Sequence, residues 1–159
     1  MDARVTWDKD LQFVGVSDSA FPVRMDSKSS SQTGAGPVEL TLMALAGCTA
    51  MDVISILLKK RQQVAEFHVD AHAERATDYP TVITAAALEY VVSGHGIEEA
   101  ALLRAIDLSV KQYCPVHAML TKAFPISLKY SIFESDPDGG RRVVSQGTYS
   151  PAPFGNAED

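Results

Sequence analysis

The sequence predicts one domain that mixes α-helix with β-strand, and three observations predict it. The chain has 159 residues, a length that suits a single core and buries about 70% of the unfolded surface without disulfide staples. A helical pattern runs from Pro37 to Gln62 with no second proline. Segments with strand character lie on both sides of it.

The elements follow in order. "ARVTWD" and "LQFVGVS" are rich in β-branched and aromatic residues and read as strands, with "DKD" as the turn between them. "FPVRMD" reads as a third, weaker strand. "SKSSSQTGAG" is a loop. It ends at Pro37, a good first helical residue because its missing N–H would have had no partner. The helix that follows closes on "KKR", which complements the negative end of the helix dipole. A helix of about 26 residues is about 39 Å long, and its mostly apolar faces predict a central, buried position.

"VAEFHVDAHAERA" and "TVITAAALEYVVSGHG" read as strands around "TDYP", a turn signal. "GIEEAALLRAIDLSVKQY" is an amphipathic helix with Leu102, Leu103, Ile106, Leu108 and Val110 as buried candidates. "CPVHAMLTKAF" is a short third helix and "PISLKYSIF" a closing strand. Residues 1–134 make up the domain. Residues 135–159 are an extension in which "DPDGG" can turn a hairpin into "RRVVSQ", before a tail expected to be disordered.

Composition excludes some functions. Hydrophobic residues make up 46% and charged residues 21%, an ordinary globular balance. The net charge of −6 argues against nucleic acid or an anionic membrane as the main partner. The start, "MDARVTWDKD", lacks the apolar run of a signal peptide. No charge-free apolar run reaches the length of about 18 residues that marks a membrane span. These readings predict a cytoplasmic chain, where two cysteines are free thiols or a functional pair rather than a staple.

Those cysteines are the centre of the functional reading. Cys48 lies mid-helix, where apolar burial makes a thiol inert. Yet Thr41, Cys48, Asp52, Ser55 and Lys59 follow helical steps of seven, four, three and four, which puts them on one polar stripe. Gly47 sits beside the stripe at a cost of about 1 kcal/mol relative to alanine, and close approach of another backbone would explain it. Cys114 precedes Pro115, so it would cap a helix whose backbone N–H groups point at its sulfur and lower its pKa. His117 lies within one turn and could pair with that sulfur. The alternative reading of both cysteines is packed thiols without chemistry. Metal readings are weak: Cys114 and His117 would need two further ligands from elsewhere. The alternation of His68, Asp70, His72 and Glu74 is that of a solvated strand face opposite Phe67, Val69, Ala71 and Ala73. His95 reads as a turn residue. The "GAG" before the long helix lacks phosphate-loop spacing.

"GPVELTLMALAGCTAMDVISILLKKR", followed by "LLRAIDLSVKQYCPVHAML", resembles the OsmC/Ohr family of osmotically inducible and organic-hydroperoxide-resistance proteins, in its broad OsmC-like branch. The match covers roughly Arg4 to Glu134. It implies an α+β fold in which a long central helix is wrapped by curved antiparallel sheets, and an intertwined homodimer with its sites at the subunit interface. It also implies a thiol peroxidase without metal or bound cofactor. Cys48 would attack an organic hydroperoxide and become a sulfenic acid. Cys114 would resolve it to a disulfide, and a dithiol reductant of the lipoyl type would restore both.

The chain departs from the family pattern at supporting positions. Val38 stands where family peroxidases carry a glutamate. Glu39 lies one residue later, about 100° around the helix. The loop arginine that pairs with that glutamate has only Arg4 and Arg24 as candidates upstream of Cys48, and Arg24, Glu39, Asp52 and His117 are the supporting residues to examine. These departures keep a second reading open: a redox-responsive or small-ligand-binding OsmC-like protein with little turnover.

Overall fold

The computed structural model describes residues 1–27, 32–136 and 138–150. Part of the serine-rich loop and the tail expected to be disordered lie outside the described residues. The chain divides into two compact units, with the boundary between Met43 and Ala44.

The first unit is a three-stranded antiparallel sheet in the order β1 (Ala3–Lys9), β2 (Gln12–Ser17), β3 (Val23–Met25). The turn after β1 passes through Asp10 at φ 46, and the Trp7 indole N–H holds its carbonyl at 3.0 Å. The buried Asp26 carboxylate accepts from the Thr33 N–H at 3.0 Å, tying the chain after β3 to the approach to the long helix. That helix, α1 (Pro37–Lys59), opens on Pro37.

The helix stops short of the predicted Gln62. Arg61 turns left-handed at φ 58, and the Gln62 N–H bonds back to the Leu57 carbonyl at 3.0 Å. This ending satisfies a last-turn carbonyl that would otherwise lack a partner. The helix is also less enclosed than its composition suggests. Leu45, Thr49, Val53 and Leu57 form its buried face, while Met51 is 73% exposed. Among the described residues of this chain, a Cβ at Gly47 would meet nothing within 4 Å, so the backbone approach expected there does not come from them.

The second unit carries the hydrophobic core. Its sheet runs β4 (Gln63–Arg75), β5 (Ile83–His95), β6 (Ile126–Ser135), β7 (Arg141–Tyr149). β4 alternates as predicted, with His68, Asp70, His72 and Glu74 on its exposed face. β5 is central and buried from Tyr90 to Gly94. At Gly94 a Cβ would lie 2.0 Å from the Gln63 carbonyl oxygen, so only glycine allows the strands to close there. β5 and β6 run parallel, and the other pairs are antiparallel. A parallel neighbour requires a long crossover. Helix α2 (Glu99–Leu108), a π-helical turn (Ser109–Tyr113) and helix α3 (Pro115–Leu120) supply it. Of the predicted α2 core, Leu102, Ile106 and Val110 are buried, but Leu103 and Leu108 are only half-buried, and Ala101 and Ala105 take their share. β7 extends the sheet beyond β6, and its Tyr149 hydroxyl donates to Asp107 on α2.

Length and composition alone would let α1 cross a membrane. Its Leu45, Val53 and Leu57 instead join β5, β6 and α2 in one core cluster, so it serves as the core helix of a folded unit. Each such leucine contributes about 1.5–3 kcal/mol by leaving water.

Candidate active site

Three elements of the second unit bring the site together. On α1, Cys48 and Asp52 are four residues apart and share a face. α2 then loosens into the π turn, an irregularity that occurs most often at functional sites. Its closing bond runs from the Cys114 N–H to the Ser109 carbonyl at 2.8 Å. The same Ser109, fully buried, donates its hydroxyl to Asp52 Oδ2 at 2.9 Å. One serine thus links the two cysteine-bearing segments through backbone and side chain.

Cys114 occupies the N-cap of α3, as its place before Pro115 predicts. Its sulfur accepts the His117 N–H at 3.2 Å. The cluster closes there: the Cys48 and Cys114 sulfurs and an Asp52 carboxylate oxygen lie within 4.8 Å of one another. Both cysteines are free thiols. Cys114 is 2% exposed, whereas Cys48 is half-buried.

The electrostatics correct two expectations. The helix N-terminus does not make Cys114 acidic. Burial pushes its thiol up to about 12, the adjacent Cys48 and the Asp52 carboxylate push the same way, and the His117 N–H opposes them without prevailing. Nor does the His117 ring pair with the sulfur. The contact is through its backbone; burial lowers the imidazole pKa, a backbone contact to Val110 opposing it, and Nδ1 is buried with no partner in good hydrogen-bonding geometry among the described residues.

Sequence reasoning passed over two further residues. Tyr90, on β5, is fully buried, and burial raises its phenol to about 12, with smaller contributions from Cys114 and Asp52. Thr49, beside the phenol, opposes that rise; its hydroxyl donates to the Ala46 carbonyl, and among the described residues the Tyr90 hydroxyl has no partner in good hydrogen-bonding geometry. Ser109 is the other. A serine within the apolar run "AIDLSV" was its available signal, but the π turn that gives it two tasks leaves no mark in the periodicity.

Asp52, Ser55 and Lys59 of the polar stripe predicted on α1 form one wall of a cleft that neither Thr41 nor Cys48 lines. Asp52, Ser55, Ile56, Lys59 and Lys60 line it with Leu108 and Tyr113 around a volume of about 460 Å³. Asp52 therefore belongs both to the thiol cluster and to an opening to solvent. Among the described residues, no lysine, arginine or histidine forms an ion pair with Asp52. Glu39 and Arg24 belong to the first unit. Glu39 accepts the Gly36 N–H at 2.6 Å and so caps the start of α1, while Arg24 and Arg4 are exposed on β3 and β1.

The profile of the OsmC-like protein family matches residues 29–129. The chain belongs to the OsmC-like family. Protein YhfA of Escherichia coli (strain K12) is 41% identical over 132 residues, covering 83% of this chain and 98% of that protein. Among solved structures, an OsmC-like protein from Mycoplasma pneumoniae is similar with a TM-score of 0.71 at 19% identity, covering 82% of this chain and 95% of that one. The organic hydroperoxide resistance protein OhrB of Bacillus subtilis is similar with a TM-score of 0.56 at 14% identity, covering 82% and 98%. At these identities the two structures establish a shared fold. The α+β architecture implied by the sequence motifs is therefore that of the OsmC-like family.

Proposed function

We propose that the protein is a two-cysteine thiol peroxidase acting on organic hydroperoxides in a stress response. The observation that carries this reading is the approach of the Cys48 and Cys114 sulfurs to within 4.8 Å from separate helical segments. That distance lets a small side-chain movement form a disulfide.

Exposure supports this division of roles. A peroxide must reach the attacking sulfur, and Cys48 is the more accessible thiol. Its thiolate attacks the outer peroxide oxygen: an S–O bond forms, the O–O bond breaks, and the alkoxide leaves and takes up a proton as an alcohol. The Cys114 sulfur then attacks the sulfenic acid on Cys48. An S–S bond forms, the S–O bond breaks, and hydroxide departs with the Cys114 proton as water. A dithiol reductant of the lipoyl type returns two electrons and two protons. Cys114, buried and protonated until that moment, is protected from direct oxidation.

One observation favours the second reading, a redox-responsive or ligand-binding protein with little turnover. Asp52 places a carboxylate beside the thiols, and no cation pairs with it among the described residues. A negative neighbour disfavours a thiolate. Peroxide consumption measured with dihydrolipoamide and a panel of hydroperoxides decides between them. Turnover that prefers bulky apolar hydroperoxides to hydrogen peroxide supports the enzyme. Stoichiometric oxidation of the pair without turnover supports the alternative.

A further inference from the structure

We propose that Cys48, Asp52 and Cys114 of the reduced protein form a binding site for a thiophilic divalent ion of the zinc class. The donors are two sulfurs and a carboxylate oxygen, all within 4.8 Å of one another. In a tetrahedral zinc site, with Zn–S near 2.3 Å and Zn–O near 2.1 Å, neighbouring donors lie about 3.5–4 Å apart. Small side-chain rotations bring this set to that spacing. Two thiolates and a carboxylate are also a donor set that zinc accepts, whereas the oxygen-seeking ions magnesium and calcium do not favour it.

The carboxylate distinguishes a metal site from a plain dithiol. A redox pair needs only its two sulfurs, and an anion beside them hinders formation of the thiolate. Asp52 is held there on purpose-built geometry: its other contact is the Ser109 hydroxyl at 2.9 Å, from the residue that also anchors the Cys114 backbone. A serine hydroxyl donating to a carboxylate is the kind of outer contact that orients a metal ligand. A divalent cation can draw the two sulfurs and the carboxylate together as a ligand set, and among the described residues no side chain forms an ion pair with Asp52.

A second observation points the same way. The Tyr90 hydroxyl is fully buried, near Thr49 and near enough to Cys114 and Asp52 to feel their charges, and among the described residues it has no partner in good hydrogen-bonding geometry. A buried hydroxyl of this kind is costly unless it has an acceptor. A metal-bound thiolate, or a water in the fourth position that three protein ligands leave open, supplies one. Asp52 also lines the cleft of about 460 Å³, which gives the ion a path from solvent.

The test uses the full chain, reduced and free of oxygen, titrated with zinc chloride and followed by calorimetry and by metal analysis after desalting. Cobalt(II) serves as the spectroscopic probe, since thiolate-to-cobalt absorption reports sulfur ligation directly. One ion per chain is expected, with thiolate-to-cobalt absorption. Cys48→Ser and Cys114→Ser are each expected to weaken binding at least about tenfold, and Asp52→Asn about tenfold. Circular dichroism checks that each variant is folded. The unmutated protein oxidised with diamide gives a further measurement on the native chain: its disulfide is expected to abolish binding, and reduction to restore it. His72→Ala, on the exposed strand face, is expected to change nothing. Zinc binding that survives oxidation, that survives loss of both cysteines, or that disappears with His72 overturns the proposal, as does absence of binding to the reduced chain at micromolar zinc. Because the readout is binding, the result is independent of whether the protein turns over peroxides.

Discussion

The two cysteines sit at contrasting places on the same core. Cys48 is mid-helix, a place that usually makes a thiol inert, yet it is the more exposed of the two. Cys114 is at a helix N-cap, a place that usually activates a thiol, yet it is 2% exposed and its pKa is pushed up to about 12. Position within an element therefore gave the wrong ranking. The N-cap contact at 3.2 Å is real, but desolvation and two nearby acidic groups outweigh one hydrogen bond. Tertiary surroundings decide which thiol is reachable from solvent and which is enclosed.

The largest effect that could break this contrast is in turnover. Cys48→Ser is expected to reduce peroxide consumption at least about 100-fold, equivalent to about 2.7 kcal/mol of barrier. Cys114→Ser is expected to permit one oxidation per chain and leave a sulfenic acid that a cyclic 1,3-dione can trap. Trapping at Cys114 in the Cys48→Ser chain, with activity retained, would reverse the roles.

Next in size is an effect on assembly. Met51 is 73% exposed on the same helix as Cys48, and Met43 and Leu58 are more than half exposed. Such an apolar face is expected to be covered by a second copy of the chain, giving a homodimer. Met51→Glu is expected to shift the mass seen by light scattering at low micromolar concentration from dimer to monomer. A wild-type monomer under those conditions would remove the dimer and leave Cys48 as exposed as the single chain shows it.

Much of this was legible in the sequence for a physical reason. Elements with long, regular periods were found: α1 from its proline start, β4 from its strict alternation, and the Cys114 N-cap from the proline that follows. What was missed depends on contacts between distant segments. The parallel pairing of β5 with β6 arises from the crossover, not from either strand. The π turn that aims Ser109 at Asp52 shifts the register without changing composition. Gly47 looked like a contact point, and none of the described residues of its own chain approaches it. Family motifs placed the two cysteines together before any distance was known, which local chemistry could not do.

A smaller effect concerns pH. The Cys114 thiol rises from 9.0 in the unfolded chain to about 12 in the fold, so the fold favours the protonated form. Its stabilisation is fully present below about pH 9 and is lost as pH rises toward 12. Tyr90 behaves likewise from 10.0 to about 12, so the interval between pH 9 and 10 reports mainly on Cys114. Urea midpoints measured under reducing conditions are expected to fall across that interval in wild type and to fall less in Cys114→Ala. Equal slopes would show that Cys114 is not held protonated by the fold.

The smallest expected effect tests why the two thiols share a carboxylate. Asp52 lies within 4.8 Å of both sulfurs and lines a solvent cleft, so its field is partly screened. Two unit charges about 4 Å apart in a water-like medium interact by about 1 kcal/mol, a factor of about five. Asp52→Asn keeps the shape and the Ser109 contact but removes the charge. In a metal-free Cys114→Ser background, it is expected to speed alkylation of Cys48 at neutral pH about fivefold, with the gain shrinking in high salt. Slower alkylation in the asparagine variant would mean that Asp52 recruits a cation to Cys48. The carboxylate would then be an aid to the peroxidase rather than a brake on it.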